Sequence, residues 1–358
     1  MYLEHFSLRE FPFRLTPDIE FLYMSSAHAR AKAYMDYTVW NRDGFVIITG
    51  DIGCGKTILV KKLLTELEEE HDNFLVAKIF QTQLDEVEFL QAMLVEFGLN
   101  PFNAKKVELI DMLNTFLIDS FHQMKQLVLV VDDAHNLSMK ALEEIRMLTG
   151  LETQKEKILH VILAGQPQLN EMLDAPEMEQ LLQRVRLRFH LKPLTPDEMA
   201  EYIGHRLRVA GASRTDIFTP ETMPVLYKYS GGVPRLVNTL CDTALTVAYA
   251  DNLPTVTLDV VKSVLDELQW QPFERRAGGR RGRPAGKGER GHNEREEDRL
   301  LANIGKRLNQ MDSLVPSLSL ISDRMASIET LLKSIADSLQ QRRPEREPPA
   351  RKIHGKDR

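Results

Sequence analysis

The chain has 358 residues, 43% of them hydrophobic, enough for about two or three domains with buried cores. A net charge of −6 excludes a whole-chain electrostatic argument for nucleic acid, and two distant cysteines, Cys54 and Cys241, exclude a disulfide framework and point to a reducing, cytosolic compartment. No charged segment followed by an apolar run opens the sequence, and no stretch approaches the ~18–20 uninterrupted apolar residues of a membrane helix, so the expectation is a soluble chain whose membrane contact is at most peripheral.

Residues 1–43 form a leading segment before the first strong pattern. "GFVIITG" (44–50) is a short buried strand running into a glycine-rich turn, residues 55–70 read as helix, and "FLVAKIF" (74–80) is a second strand. Helical stretches near 86–97 and 105–123 precede a third strand, "LVLVVDD" (127–133), and a helix near 138–149 follows. "ILHVILAG" (158–165) is the fourth strand, and the alternating "VRLRFHL" (185–191) a shorter fifth, followed by a helix from Pro196 to about 209. This alternation predicts an α/β domain over 44–212, with a parallel sheet flanked by helices.

After about 215 only helical patterns remain, at 220–229, 233–250 and 257–268, which predicts a small helical domain over 213–270. Residues 271–297, "QPFERRAGGRRGRPAGKGERGHNEREE", are nearly free of apolar side chains and read as a disordered linker. Its arginines and glycines suit RNA or anionic lipid in principle, but interspersed glutamates more simply keep a linker soluble. Over 298–341 apolar residues fall at 301, 304, 308, 311 and 315, then at 321, 325, 328, 332, 335 and 339. These 3-and-4 spacings predict a coiled coil or a pair of amphipathic helices, divided at Pro316, before a disordered tail at 342–358.

The chemistry concentrates at the ends of the predicted strands. "GDIGCGKT" (50–57) matches G-x-x-x-x-G-K-[ST] between a strand and a helix, the context that motif requires. Gly50, Gly53 and Gly55 let backbone amides approach phosphates, with Asp51, Ile52 and Cys54 completing the loop, and the helix N-terminus adds partial positive charge. Lys56 is placed to reach the β- and γ-phosphates of ATP and Thr57 to ligate Mg²⁺. Cys54 is either a redox-sensitive thiol at a helix start or simply a small residue that fits.

Two aspartates end the third strand. Asp132 is placed to hold Mg²⁺ and Asp133 to position or deprotonate the attacking water, while a helix cap or turn is the plain alternative for both. Gln166, closing the fourth strand in "LAGQPQL", is placed to contact the γ-phosphate or the water, or is a turn residue. Arg184 is a candidate finger for a neighbouring subunit, whereas Arg186 and Arg188 alternate on the fifth strand as a solvated face would. Arg235, after "SGGVP", is positioned to reach back to the nucleotide from the helical domain.

Together these segments resemble an AAA+ ATPase, and more narrowly the general-secretion-pathway protein A (ExeA-like) family of secretion ATPases. "HFSLREFPFRLTPDIEFLYMS", "VVDDAHNLS", "EEIRMLT", "QRVRLRFHLKPL" and "GGVPRLVNTLCD" carry that resemblance over about residues 1–268. "FQTQLDEVEFLQAMLVEFGL" and "MEQLLQRV" look most like the branch in exosortase/PEP-CTERM loci, beside exopolysaccharide genes. The resemblance implies Gly50 to Thr57 as Walker A, Asp132 as Walker B, Gln166 as sensor 1, Arg184 as finger and Arg235 as sensor 2. It departs from the family at Asp133, where glutamate is usual, and at His135, where glutamine is frequent.

The resulting expectation is an ATP- and Mg²⁺-dependent hydrolase acting as an accessory motor or switch for envelope export or polysaccharide machinery. It would self-associate through ATP interfaces and the C-terminal coiled coil. A DNA-handling ATPase like transposition target-selection proteins, and a nucleotide-gated scaffold with slow turnover, are the alternatives. The absence of a basic run in the core argues against the first, and Asp133 keeps the second open.

Overall fold

A computed structural model describes residues 2–41, 44–70, 73–152, 156–214 and 216–273. The linker from 274 onward, the coiled-coil expectation for 298–341 and the tail at 342–358 lie outside the described residues.

The chain opens with a single helical turn, α1 (Tyr2–His5), and a helix that sequence periodicity did not predict, α2 (Ser26–Trp40). Its hydrophobic faces are mixed with buried His28, Lys32 and Thr38, which blurs the apolar stripe that marks a helix. Then follow β1 (Phe45–Gly50), α3 (Lys56–Glu69), β2 (Phe74–Ile79), α4 (Glu86–Glu96), α5 (Lys106–His122), β3 (Gln126–Val131) and α6 (Met139–Leu148). β4 (Leu159–Gly165), the short α7 (Gln168–Leu173) and α8 (Glu179–Leu182), β5 (Leu187–Leu191) and α9 (Pro196–Val209) complete the α/β part. α10 (Thr222–Ser230), α11 (Pro234–Ala250) and α12 (Leu258–Glu267) complete the helical part. Local chemistry sets several boundaries: Asp85 and Glu88 form a capping box at α4, Thr195 and Glu198 another at α9, and Gly231 ends α10 in the left-handed region.

The five strands are all parallel in the order β2-β3-β4-β1-β5. β1, β3 and β4 are almost wholly buried, as continuous apolar runs covered by helices on both faces require. The register pairs Thr49 with Gly165 and Val131 with Leu163, so the loops after β1, β3 and β4 meet at one edge of the sheet. That carboxyl edge is where ligands bind open α/β sheets.

Three differences from the sequence reading matter. β3 ends at Val131, so both aspartates stand beyond the strand, and Asp133 takes a left-handed conformation (φ 52°, ψ 36°). β5 starts at Leu187 rather than at 185, which leaves Arg186 just before the strand instead of on it. The leading segment does not simply feed into β1: Tyr2, Phe6, Leu8, Phe13 and Phe21 are buried with Leu207, Leu240, Val260 and other residues of α9–α12. Half of the apparent N-terminal extension is therefore core of the helical part.

Candidate functional site

The loop between β1 and α3 is built by its glycines. Gly53 and Gly55 have φ of +84° and +104°, which side-chain-bearing residues rarely adopt. Both are also closed in: a Cβ on Gly53 would lie 2.6 Å from the Arg235 Cβ, and one on Gly55 would lie 2.6 Å from His28 Nε2. Gly55 opens α3 without any side-chain cap, so the first N–H groups of this fourteen-residue helix have no capping side chain. An uncapped helix start behind a glycine loop is a ready anion site.

Lys56 is buried, and its Nζ donates to the carbonyls of Gly50 (2.7 Å) and Asp51 (3.0 Å), bracing the loop from inside. Burial pushes its pKa down, against the nearby Asp132, Asp133 and Asp51 carboxylates. Asp132 is 4% exposed. Burial raises its pKa, while hydrogen bonds from the Thr57 hydroxyl and from the Asp133 N–H (3.0 Å) support its charged form. The hydroxyl that ends the loop thus favours the charged form of the carboxylate just beyond the third strand. A hydroxyl and a buried carboxylate side by side are oxygen donors of the kind Mg²⁺ takes, so these two residues fit that ion.

Asp133 differs sharply from its neighbour. Its side chain is 55% exposed, and its carbonyl accepts from the Thr82 hydroxyl at 3.0 Å, which fixes the turn. Gln166 sits across from it. The Gln166 N–H donates to His135 Nδ1 (3.4 Å), and the two side chains meet at 2.7 Å through His135 Nε2. The Gln166 atom against His135 Nε2 is its side-chain amide nitrogen.

The helical part closes the opposite side. The Arg235 N–H, in the first turn of α11, donates to the Gly53 carbonyl at 3.3 Å. A cleft of about 300 Å³ runs from this contact past Lys56, Thr57, Asp133 and Gln166. Its far wall is the segment Arg14–Tyr23 with Tyr202, Arg206 and Asn238. Those three form a chain: Arg206 Nη1 donates to the Tyr202 hydroxyl (3.0 Å), Tyr202 to Asn238 Oδ1 (2.6 Å), and Asn238 Nδ2 to the Arg14 carbonyl (3.2 Å). The Arg206 guanidinium also donates to the Pro12 carbonyl and lies over the Phe21 ring at 4.8 Å.

Of the predicted site residues, Gly53, Gly55, Lys56, Thr57, Asp133, Gln166 and Arg235 line one cleft, Ile52 lies on its rim half-exposed, and Asp132 sits directly beneath. Gly50 packs its Cα against Leu191 at the base of the loop. Two residues stand apart. Cys54 is fully buried, and burial pushes its thiol up to about 12, which fits the space-filling reading and not the redox one. Arg184 turns away from its own cleft: its Nη1 donates to the Arg146 carbonyl and to the Thr149 hydroxyl (3.2 Å), capping the end of α6. Arg186 and Arg188 are both exposed, as a solvated face requires, with Arg186 over the Tyr37 ring and Arg188 paired with Asp174. Sequence reasoning missed His28, Tyr202, Arg206 and Asn238; their only signal was apolar or polar residues at ordinary helix positions.

The glycine loop, the strand order and the helical part over the carboxyl edge define a P-loop fold of the AAA+ class. In agreement, a family model described as an AAA domain matches residues 40–173. The chain is similar to General secretion pathway protein A of Aeromonas hydrophila, 40% identical over 280 residues, covering 76% of this chain and 50% of that protein. It is also 24% identical over 149 residues to an uncharacterized HTH-type transcriptional regulator of Methanocaldococcus jannaschii, 40% of this chain and 36% of that one. The chain thus spans half or less of the length of these relatives. Among solved structures, the ORC2 protein of Aeropyrum pernix aligns with TM-score 0.52 and 14% identity over 70% of this chain and 72% of that one. Cdc6p from Pyrobaculum aerophilum aligns with 0.53 and 15% over 74% and 70%. These two show the fold. No helix among the described residues is long and apolar enough to cross a membrane.

Proposed function

We propose that this protein is an ATP hydrolase of the general-secretion-pathway protein A family, acting as an accessory motor or switch in envelope export. The observation that carries the chemistry is the cleft that gathers Lys56, Thr57, Asp133 and Gln166 at the phosphate loop, with the buried Asp132 carboxylate beside it. In this reading Gly50 to Thr57 hold the triphosphate, with Lys56 releasing its loop carbonyls to meet the β- and γ-phosphates. Thr57 and Asp132 hold Mg²⁺, which supplies charge neutralisation on the phosphates when bound. Asp133 orients the attacking water, and the His135 ring keeps the Gln166 side chain turned toward the same spot. Arg235 senses the nucleotide from the helical part, and Arg184 serves a neighbouring subunit once released from α6. The 40% identity to an Aeromonas secretion-pathway protein supports the export role; the exosortase and polysaccharide branch rests on the resemblance of 80–99 and 178–185.

The test is Mg-ATP turnover and Mg-ATP-dependent self-association of the purified full chain, compared with Lys56→Ala. Turnover and association that vanish in the variant support the reading; a wild-type protein showing neither overturns it. Exosortase and polysaccharide-polymerisation genes beside the coding gene would support the branch, and type II secretion genes would move it.

A further inference from the structure

His28 is a buried histidine, 3% exposed, that no motif marks. It stands in the first turn of α2, and its Nε2 donates to the carbonyl of Cys54, inside the phosphate loop, at 3.0 Å. Its Nδ1 faces the Ser25 hydroxyl at 2.6 Å, and Ser25 in turn caps α2 by accepting the His28 N–H (3.3 Å). The tautomer follows: Ser25 donates to Nδ1, so the single ring proton sits on Nε2 and is spent on the loop. Burial holds the ring in this neutral form.

The ring also presses on the loop from outside, because nothing larger than hydrogen fits on Gly55 beneath it. α2 itself is held in place. One turn beyond His28, on the same face, buried Lys32 bridges to Glu66 of α3 at 2.5 Å, and Ser26 gives both its N–H (3.0 Å) and its hydroxyl (2.7 Å) to Glu198 of α9. A histidine held at both nitrogens, on a helix tied to two neighbours, is a rigid support.

We propose that His28 is a positioning residue of the nucleotide site: by pinning the Cys54 carbonyl outward it fixes the Cys54–Gly55 peptide plane. In a trans peptide the N–H points opposite the carbonyl, so the Gly55 N–H is turned away from His28 and kept available to a phosphate. Without that bond the loop peptide is free to rotate, and ordering it on binding costs affinity. The role rests on the nucleotide-binding reading above.

The test uses the full chain with Mg and a non-hydrolysable ATP analogue, steady-state ATPase kinetics, and thermal melting without nucleotide. His28→Leu fills the space without the donor, and His28→Gln restores an amide N–H at about the same reach. Loss of one buried hydrogen bond predicts a Kd and KM roughly tenfold higher for His28→Leu, with kcat at saturation nearly unchanged and the nucleotide-free Tm lower by only about 2–8 °C. His28→Gln should recover to within about threefold of wild type. Ser25→Ala leaves the imidazole but frees its tautomer, and should weaken binding about threefold; it decides the matter should His28→Leu not fold. Wild-type affinity in His28→Leu, equal weakness of the Leu and Gln variants, or an unaffected Ser25→Ala in the absence of a folded Leu variant would overturn the role. A wild-type chain that binds no nucleotide sinks the nucleotide-site reading itself, whereas equal tight binding by wild type and His28→Leu removes only His28.

Discussion

The side chains of Gln166 and His135 meet at 2.7 Å, joining the turn after β4 to the turn after β3. One turn carries Asp133 and the other the polar group opposite it, so the ring holds the two halves of the proposed hydrolytic site in one geometry. His135→Ala and Gln166→Ala should each lower kcat by about 10²-fold with little change in KM, as misplacement near 1 Å does. Because the two act as a unit, the double variant should be little worse than either single one; additive losses in a double-mutant cycle would refute the coupling.

Asp133 is one carbon–carbon bond shorter than the glutamate its resemblance calls for, about 1.5 Å. Its left-handed backbone projects the side chain from a different direction than a strand residue would, which offers a way to make up the reach. Asp133→Ala and Asp133→Asn should both retain ATP binding and lose nearly all turnover, asparagine being the fairer test because it tolerates φ > 0. Asp133→Glu should keep or raise the rate. An alanine variant with normal turnover would remove Asp133 from the chemistry.

Gly53 is the point where α11 touches the phosphate loop. Gly53→Ala places a methyl group 2.6 Å from the Arg235 Cβ on a backbone with φ of +84°. The expected result is a loss of nucleotide binding of tenfold or more, estimated roughly from strain of 1–3 kcal/mol at such positions. Arg235→Ala keeps the backbone contact and should instead lower turnover with binding largely retained. Titration calorimetry beside a steady-state assay separates the two.

Both cysteines are buried, and the Cys54 thiol ionises only near pH 12 against 9.0 for an ordinary thiol. Neither should react with iodoacetamide at pH 8 in the folded protein, and both should react in denaturant. The sign for stability follows: the folded state holds its proton more tightly than the unfolded one, so this contribution is complete below about pH 9 and is lost as pH rises toward 12. Cys54→Ala should therefore flatten part of the alkaline fall in Tm.

Phe13, 1% exposed, meets Phe218 edge-to-face at 6.0 Å inside the helical part. Phe13→Ala should destabilise the protein by about 3–5 kcal/mol in chemical denaturation, the range for a buried aromatic. A loss under about 1 kcal/mol would mean that the leading segment is not part of that core.

What the sequence by itself determined was the P-loop, the five strands, most of the long helices and the carboxylates at the strand ends. Those features are local: periodicity of two or 3.6 residues, glycines at fixed offsets, and charge placed abruptly after an apolar run. The turn conformation of Asp133 and the fate of Arg184 were not legible, because a cap on the end of α6 by a residue 38 positions later has no local mark. Nor was the wall made by Arg14–Tyr23, or the support given by His28. Each depends on bringing together segments 26 to about 224 residues apart, and only the closed tertiary structure decides which buried polar groups find each other there. The reason is physical: a buried donor must find an acceptor wherever the fold presents one, and that address is written in no single stretch of the chain.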